Sequence, residues 1–403
     1  MKTGFLKAGH LPTLFASFLY FDLSFMVWVL LGPLAVLIAK DLGLNAAQKG
    51  LMVATPVLAG AFLRIAAGIL AQYIGPKRAG ILAQMVVILA LASAWLIGLE
   101  NFSQMLLVGV ALGVAGASFA IALPLASQWY PPEHQGTALG IAGAGNSGTV
   151  LAALFAPGIA AVFGWRDVLG MALLPLIAVL AVFVLIAKDS PRRPERLPAA
   201  AYWKVLLVPE AWSLMLFYSV SFGGFVGLAS SLPIYFHDQY GLSPVAAGYV
   251  TAACVFTGSM LRPIGGAVAD RIGGLKTLGC VYLAAFSALI VVAIGLPSMT
   301  MALGAFIVAM GALGIGNGAV FQLVPQRFRS EVAIMTGLVG MTGGIGGFYL
   351  ASSLGFSKYL TGSYAAGLSI FAALTLIALM GVLLALRSKT KWAGSAVAAE
   401  SAT

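Results

Sequence analysis

Charge is scarce in this sequence. Only 8% of its 403 residues are Asp, Glu, Lys or Arg, where a soluble domain carries about 25%, so no soluble globular fold fits. Acids are rarer than bases, at 12 against 22. Cysteine is nearly missing: Cys254 and Cys280 both fall in apolar stretches, which excludes a disulfide framework. The three histidines, His10, His134 and His237, are scattered, without metal-ligand spacing. The glycine-rich stretches lie inside apolar segments and lack the lysine pattern of a phosphate-binding loop. No enzyme activity, cofactor, metal or nucleic-acid partner is expected.

What is present is apolar. Hydrophobic residues make up 61% of the chain, and the mean hydropathy is +1.02. Segments of about 20 apolar residues, the length that crosses a bilayer, recur along nearly the whole chain. They centre near residues 25, 61, 90, 115, 150, 177, 222, 257, 286, 312, 345 and 374. An all-α membrane protein of twelve spans is expected. The first span is read as retained and not as a cleaved signal peptide.

The net charge of +10 is explained by its distribution. With both termini inside, sixteen basic residues fall on the inner side: Lys2, Lys7, Lys77, Arg78, Lys188, Arg192, Arg193, Arg196, Lys204, Arg271, Lys276, Arg327, Arg329, Arg387, Lys389 and Lys391. Four fall outside, at Lys40, Lys49, Arg166 and Lys358. Positive charge marks the cytoplasmic side, so a multi-pass protein of the cytoplasmic (inner) membrane is expected, with both termini in the cytoplasm.

The last two bases, Arg64 and Arg262, lie within spans. A charge at the bilayer centre costs roughly 2.5–3.5 kcal/mol on insertion scales and usually marks a pathway. Each arginine stands four residues before a glycine that opens the same kind of loop: Arg64-Ile-Ala-Ala-Gly68 through Gln72 to Gly75, and Arg262-Pro-Ile-Gly-Gly266 through Asp270 to Gly273. The offset is 198 residues (262 − 64). It also relates Gly113-Val-Ala-Gly116 to Gly311-Ala-Leu-Gly314, and Gly145-Asn146-Ser-Gly148 to Gly343-Gly-Ile-Gly346. Between the copies, Lys188 to Pro198 is polar and proline-rich, as a linker should be. The expected organisation is a six-helix bundle over 1–187, a cytoplasmic linker over 188–205, a second six-helix bundle over 206–388 and a cytoplasmic tail over 389–403. Two such repeats with a midplane site are the architecture of a secondary transporter.

Arg271 and Lys276 set Asp270 near the inner end of its span. Arg262 is then about 12 Å deeper, at 1.5 Å per residue, and the same count from Gln72 places Arg64 alike. A guanidinium offers a flat fork of donors that suits a planar oxyanion and stays charged. The competing reading is that each arginine snorkels or pairs with backbone carbonyls. Among the acids only Asp22 falls deep in a span, so an incoming anion would supply the missing counter-charge, and sugars or cationic drugs fit poorly. Asp22 is either a proton-coupling carboxylate or a capping or interfacial residue near the start of span one.

Gly266-Ala-Val-Ala-Asp270-Arg271-Ile-Gly273 resembles the loop motif of the major facilitator superfamily, with Gln72 departing from it in the first copy. Within that superfamily three runs resemble the nitrate/nitrite porter family. They are Phe222-Gly-Gly-Phe-Val-Gly227 with Leu232-Pro233 and Tyr235-Phe236, Gly316-Asn317 through Phe321-Gln322 to Pro325, and Gly140-Ile-Ala-Gly143-Ala-Gly145-Asn146-Ser-Gly148. The resemblance implies an anion held between aromatic rings near the arginines. That role carries over to Phe119 and Phe222, with Tyr218 one turn before Phe222; Phe25 and Trp28 are looser candidates. Asn146 either donates to the anion or makes an interhelical hydrogen bond.

Gly140, Gly143, Gly145 and Gly148 give span five one smooth side, as Gly337, Gly340, Gly343, Gly344, Gly346 and Gly347 do span eleven. Such seams let helices pack closely or slide as two bundles rock. Gating or packing roles are expected for Gly143, Gly145, Gly148, Gly343, Gly346 and Asp270. The whole reads as a monomeric secondary transporter that moves nitrate, nitrite or both through the bilayer for assimilation, by proton symport or by nitrate/nitrite antiport. The alternatives are a major facilitator transporter for another small oxyanion or carboxylate, and a nutrient receptor that does not transport.

Overall fold

The computed structural model describes residues 5–191, 199–328 and 331–388. Residues 192–198 of the expected linker, the tail 389–403, and Lys2, Arg192, Arg193, Arg196, Arg329, Lys389 and Lys391 lie outside the described residues. Among the described residues every regular element is helical. A lipid-exposed chain must pair its backbone groups within itself, and a helix does so.

Twelve helical segments are long and apolar enough to cross a membrane. Spans one to six are Leu11–Leu42, Ala46–Ile74, Pro76–Ile97, Phe102–Ser127, Thr137–Phe163 and Trp165–Ile186. Spans seven to twelve are Pro209–Tyr240, Pro244–Ile272, Gly274–Ile294, Met299–Arg327, Ile334–Thr361 and Ala365–Arg387. Every centre expected from the sequence falls inside its span. A short helix, Ala199–Leu206, precedes span seven.

The offset of 198 residues is written into the backbone. Gly43 and Gly241 end spans one and seven with φ of 64° and 66°. Gly75 and Gly273 end spans two and eight with φ of 91° and 94°. Side chains with a β-carbon rarely adopt such torsions, so glycine is what lets both copies turn alike.

Spans one and seven are the most buried, while Leu89, Leu107, Leu174 and Leu384 on spans three, four, six and twelve are exposed. Exposed apolar surface of this extent faces lipid. The spans of the two repeats meet closely toward the face opposite the described ends Phe5 and Ser388, called here the distal face. There Gly50 of span two meets the Gly355 backbone, and Gly248 of span eight meets the Ala153 carbonyl of span five. Gly32 of span one meets Ser230 of span seven. The Lys49 ammonium pairs with Asp238 at 2.9 Å, and the Tyr364 hydroxyl donates to the same carboxylate oxygen at 2.8 Å. Toward the proximal face, which carries Phe5 and Ser388, the same helices part. Gly140 and Gly143 of span five, Gly266 of span eight and Gly337 of span eleven all face open space.

Candidate functional site

Arg64 is 1% exposed, in the middle of span two. Its Nε donates to the Gly116 carbonyl at 3.1 Å and its Nη1 to the Gly340 carbonyl at 2.6 Å. Three aromatic faces surround the guanidinium carbon, with ring centroids at 5.2 Å (Trp28), 5.4 Å (Phe119) and 4.9 Å (Phe222). Cation–π contacts of this kind contribute about 0.5–2 kcal/mol each. Arg262 is half-buried on span eight, 5.9 Å from Phe119 and 5.8 Å from Phe321. The two repeat-related guanidiniums therefore share the Phe119 ring.

Each arginine keeps a buried nitrogen without a hydrogen-bond partner, Nη2 of Arg64 and Nη1 of Arg262. Among the described residues neither is in an ion pair. A buried unsatisfied donor costs about 1–3 kcal/mol, and a charged one more. A small anion between them would satisfy both. The competing sequence reading, pairing with backbone carbonyls, holds for two donors of Arg64 and leaves its third nitrogen over.

Tyr218 and Phe222, one turn apart on span seven, stack at 5.1 Å with a 4° angle between their rings. The Tyr218 hydroxyl is buried beside both guanidiniums. Phe321 of span ten closes the ring, 5.0 Å from Tyr218 and 5.7 Å from Phe119. The structure thus brings Arg64, Arg262, Phe119, Phe222 and Tyr218 together. Phe25 packs behind them on Phe21 and Trp28.

Asn146 sits in a 3-10 turn, Ala144–Ser147, that interrupts span five and packs on spans one and eight. It is 1% exposed, and both atoms of its amide lack partners. Among the described residues Asp22 is in no ion pair with either arginine. It lies in mid-span rather than near the start of span one, 6% exposed, and its Oδ1 accepts from the Ser147 hydroxyl at 2.7 Å.

The glycines divide differently from the smooth-sided seams expected. Gly145 and Gly148 press on Phe21 and on the Asp22 backbone of span one, and Gly343 and Gly346 on Tyr218, Phe222 and the Ser219 carbonyl of span seven. All four pack within their own repeat, and Gly143 faces open space. Contacts between repeats fall to Gly340, Gly344 and Gly347 of the span-eleven seam and to Gly32, Gly50, Gly248 and Gly355 outside it. Asp270 is exposed near the proximal end of span eight and, among the described residues, has no ion-pair partner.

Sequence reasoning missed Phe321, Asn317 and the two carbonyls. Phe321 and Asn317 stood in a quoted run, one turn apart on span ten, and Asn317 is fully buried with both amide atoms unpartnered. No residue type signals the Gly116 and Gly340 carbonyls, because backbone acceptors have no side chain to read.

The model of the Major Facilitator Superfamily matches residues 15–351. "Probable nitrate/nitrite transporter NarK2" of Mycobacterium tuberculosis (strain ATCC 25618 / H37Rv) is 33% identical over 366 residues, covering 88% of this chain and 91% of the relative. "Nitrite extrusion protein" of Bacillus subtilis (strain 168) is 34% identical, with 90% of each chain covered. Among solved structures, a bacterial homolog of the human lysosomal transporter Spinster, inward-facing and occupied, superposes with a TM-score of 0.71 at 22% identity, over 94% of this chain and 97% of the other. That likeness concerns the fold alone. With twelve spans and relatives that transport, this chain is a multi-pass membrane transporter and not an enzyme; it belongs to the major facilitator superfamily and, within it, to the nitrate/nitrite porters.

Proposed function

We propose that this transporter carries nitrate, nitrite or both across the cytoplasmic membrane by alternating access, as a monomer with both termini in the cytoplasm. The observation that carries the reading is the pair of buried, unpartnered guanidinium nitrogens on Arg64 and Arg262 around one phenylalanine. A planar oxyanion accepts from such forks in its own plane while its faces lie against rings. Phe119, Phe222, Tyr218 and Phe321 form those walls, and Asn146 supplies a further amide donor from the turn of span five. The names of the relatives, at about a third identity over most of the chain, support this substrate class.

The two bundles, 1–187 and 206–388, rock about this site. In the present arrangement the distal face is held shut by Lys49, Asp238 and Tyr364, and the open proximal face is the cytoplasmic one. Two modes of coupling are open to the site, nitrate/nitrite exchange and symport with a proton carried by Asp22.

Labelled nitrate in proteoliposomes tests this. Internal nitrite should drive counterflow of nitrate, and nitrite should compete where chloride and sulfate at equal concentration do not. Equal inhibition by chloride and nitrite would remove the flat slot from the account. An absence of counterflow would remove exchange, and an absence of any nitrate flux would remove the substrate.

A further inference from the structure

A single proton links Asp22 to the turn that presents Asn146. The Ser147 hydroxyl lies 2.7 Å from Asp22 Oδ1 and 2.8 Å from the Ala144 carbonyl, and it has one hydrogen for these two acceptors. While Asp22 is ionised, one contact must go unfilled. Once Asp22 is protonated, its carboxyl donates to Ser147, and Ser147 donates to Ala144; both contacts are then hydrogen bonds.

The second contact closes the 3-10 turn Ala144–Ser147 on itself, and Asn146 is part of that turn. Back-bonding of a serine hydroxyl onto the preceding turn bends a helix. The turn is clamped against span one, because Gly145 and Gly148 leave no room between it and the Asp22 backbone. A change of hydrogen bonding at Ser147 is thereby passed to Asn146, whose amide is buried without partners.

We infer that Ser147 is a positioning residue that couples proton binding at Asp22 to the anion-binding geometry of Asn146. The inference rests on the proposed anion transport and deepens its symport mode. One proton from water in the open proximal side binds one Asp22 oxygen, and the same proton leaves to water when the anion leaves.

The surroundings favour this role. On its own helical segment, Leu11–Trp28, the other titratable group is Tyr20, whose hydroxyl donates to the Gly80 carbonyl; Lys40 and Asp41 stand at the distal end of span one. Spans four, five and six pack on that segment, and span three meets it through the Tyr20–Gly80 and Ser24–Gln84 hydrogen bonds. Their charged or titratable residues are Lys77 and Arg78 at the proximal start of span three and Arg166 and Asp167 at the distal start of span six, while Glu133 and His134 belong to the first turn of the helix Pro132–Gly143 that leads into span five. The site arginines lie beyond Phe21 and Phe119, whose rings are 5.9 Å apart. An ionised Asp22 would thus add negative charge near an incoming anion, and a proton removes it. Nitrate should therefore bind more tightly as pH falls.

The test uses the full chain in proteoliposomes, as parent, Ser147→Ala and Ser147→Thr. Three quantities are read: nitrate accumulation driven by a pH gradient, the nitrate KM against pH, and nitrate/nitrite counterflow without a gradient. In the parent, KM should fall by about fivefold or more from high to low pH, the lower end of usual coupling between sites. Ser147→Ala should flatten that dependence and cut pH-driven accumulation more than counterflow. Ser147→Thr, which keeps a hydroxyl, should restore both. If the alanine variant does not fold, Ser147→Cys, with a weak donor of similar size, should give the same flattening. A parent-like pH dependence in the alanine or cysteine variant overturns the inference alone. A parent that exchanges nitrate for nitrite yet ignores the pH gradient overturns symport, and this inference with it.

Discussion

The two halves of the molecule share a repeat and differ where it matters. In the first half three spans around the site are interrupted, span one at Val29–Leu30, span four at Ala117–Ser118 and span five at the turn Ala144–Ser147, while span two, which carries Arg64, is continuous. The counterparts of those three, spans seven, ten and eleven, run through without a break. At the interruption in span four the Ala120 amide bonds to Ala117, which releases the Gly116 carbonyl to accept from Arg64. The Trp28 ring lies against Gly116 and Gly60, where any β-carbon would collide with it. So each half supplies one backbone acceptor to Arg64, Gly116 from the broken span four and Gly340 from the unbroken span eleven, while the unbroken half adds the side chains of Tyr218, Phe222 and Phe321. Equal depth in the repeat gives the two arginines equal placement and unequal surroundings.

The sharpest way to break that comparison is to replace each arginine by lysine. An ammonium keeps the charge and loses the flat fork, so both variants should bind nitrate at least about tenfold more weakly, within the 1.5–3 kcal/mol of a charged hydrogen bond. Arg64→Lys should also lower thermal stability, by about 1–3 kcal/mol, because the Gly116 and Gly340 carbonyls lose a buried donor. Arg262→Lys should not. Equal melting shifts in the two purified variants would mean that the arginines are not divided into strut and ligand.

The distal latch ranks next. The Lys49 and Asp238 side chains are 15% and 14% exposed, between an exposed pair worth about 0–1 kcal/mol and a buried one whose breaking costs about 3–5 kcal/mol. Asp238→Asn and Lys49→Ala should each shift the population toward a state open on the distal face. The readout is thiol labelling of Ser230→Cys, behind the latch, with Cys254 and Cys280 replaced by serine. Labelling rates equal to the latched parent would assign the pair to the surface only.

A smaller effect is expected at the aromatic wall. Phe222 is fully buried, and Phe222→Ala would open a core cavity at a cost of about 3–5 kcal/mol, which would obscure any change in selectivity. Phe222→Leu keeps most of the volume and removes the flat face. It should raise chloride inhibition of nitrate uptake severalfold, in line with the roughly 0.5–2 kcal/mol of one lost ring contact. Unchanged chloride inhibition would place the selectivity elsewhere.

Much of this was legible in the sequence, for physical reasons. Span length is fixed by the bilayer, so apolar runs alone located twelve helices. The arginines were legible because charge in an apolar run is costly and therefore conspicuous. The interruptions were not legible. Gly116, Ala117 and Ser118 look like any small-residue stretch, and the turn at Ala144–Ser147 depends on how span one presses against it. The partners of the glycines were hidden for the same reason: a smooth helix side says that something packs there and does not say which helix. The latch was hidden because Lys49 and Asp238 are 189 residues apart, and no periodicity joins them.

The mildest test concerns the two copies of the loop motif. Asp270 is exposed, while its counterpart Gln72 is hydrogen-bonded to Tyr202 in the short helix ahead of span seven. The departure from the motif thus has a local use, tying the first half to the connection between halves at the proximal face. Gln72→Asp restores the motif but removes the amide donor to the tyrosine oxygen, along with one methylene of reach. A partly exposed polar exchange of this kind changes stability by about 0.5 kcal/mol or less. Transport should change little, and Tyr202→Phe, which removes the hydroxyl, should match it. If Gln72→Asp instead slows nitrate exchange strongly while Tyr202→Phe does not, a carboxylate in the first copy disturbs the proximal opening, and the two loops are not free to differ.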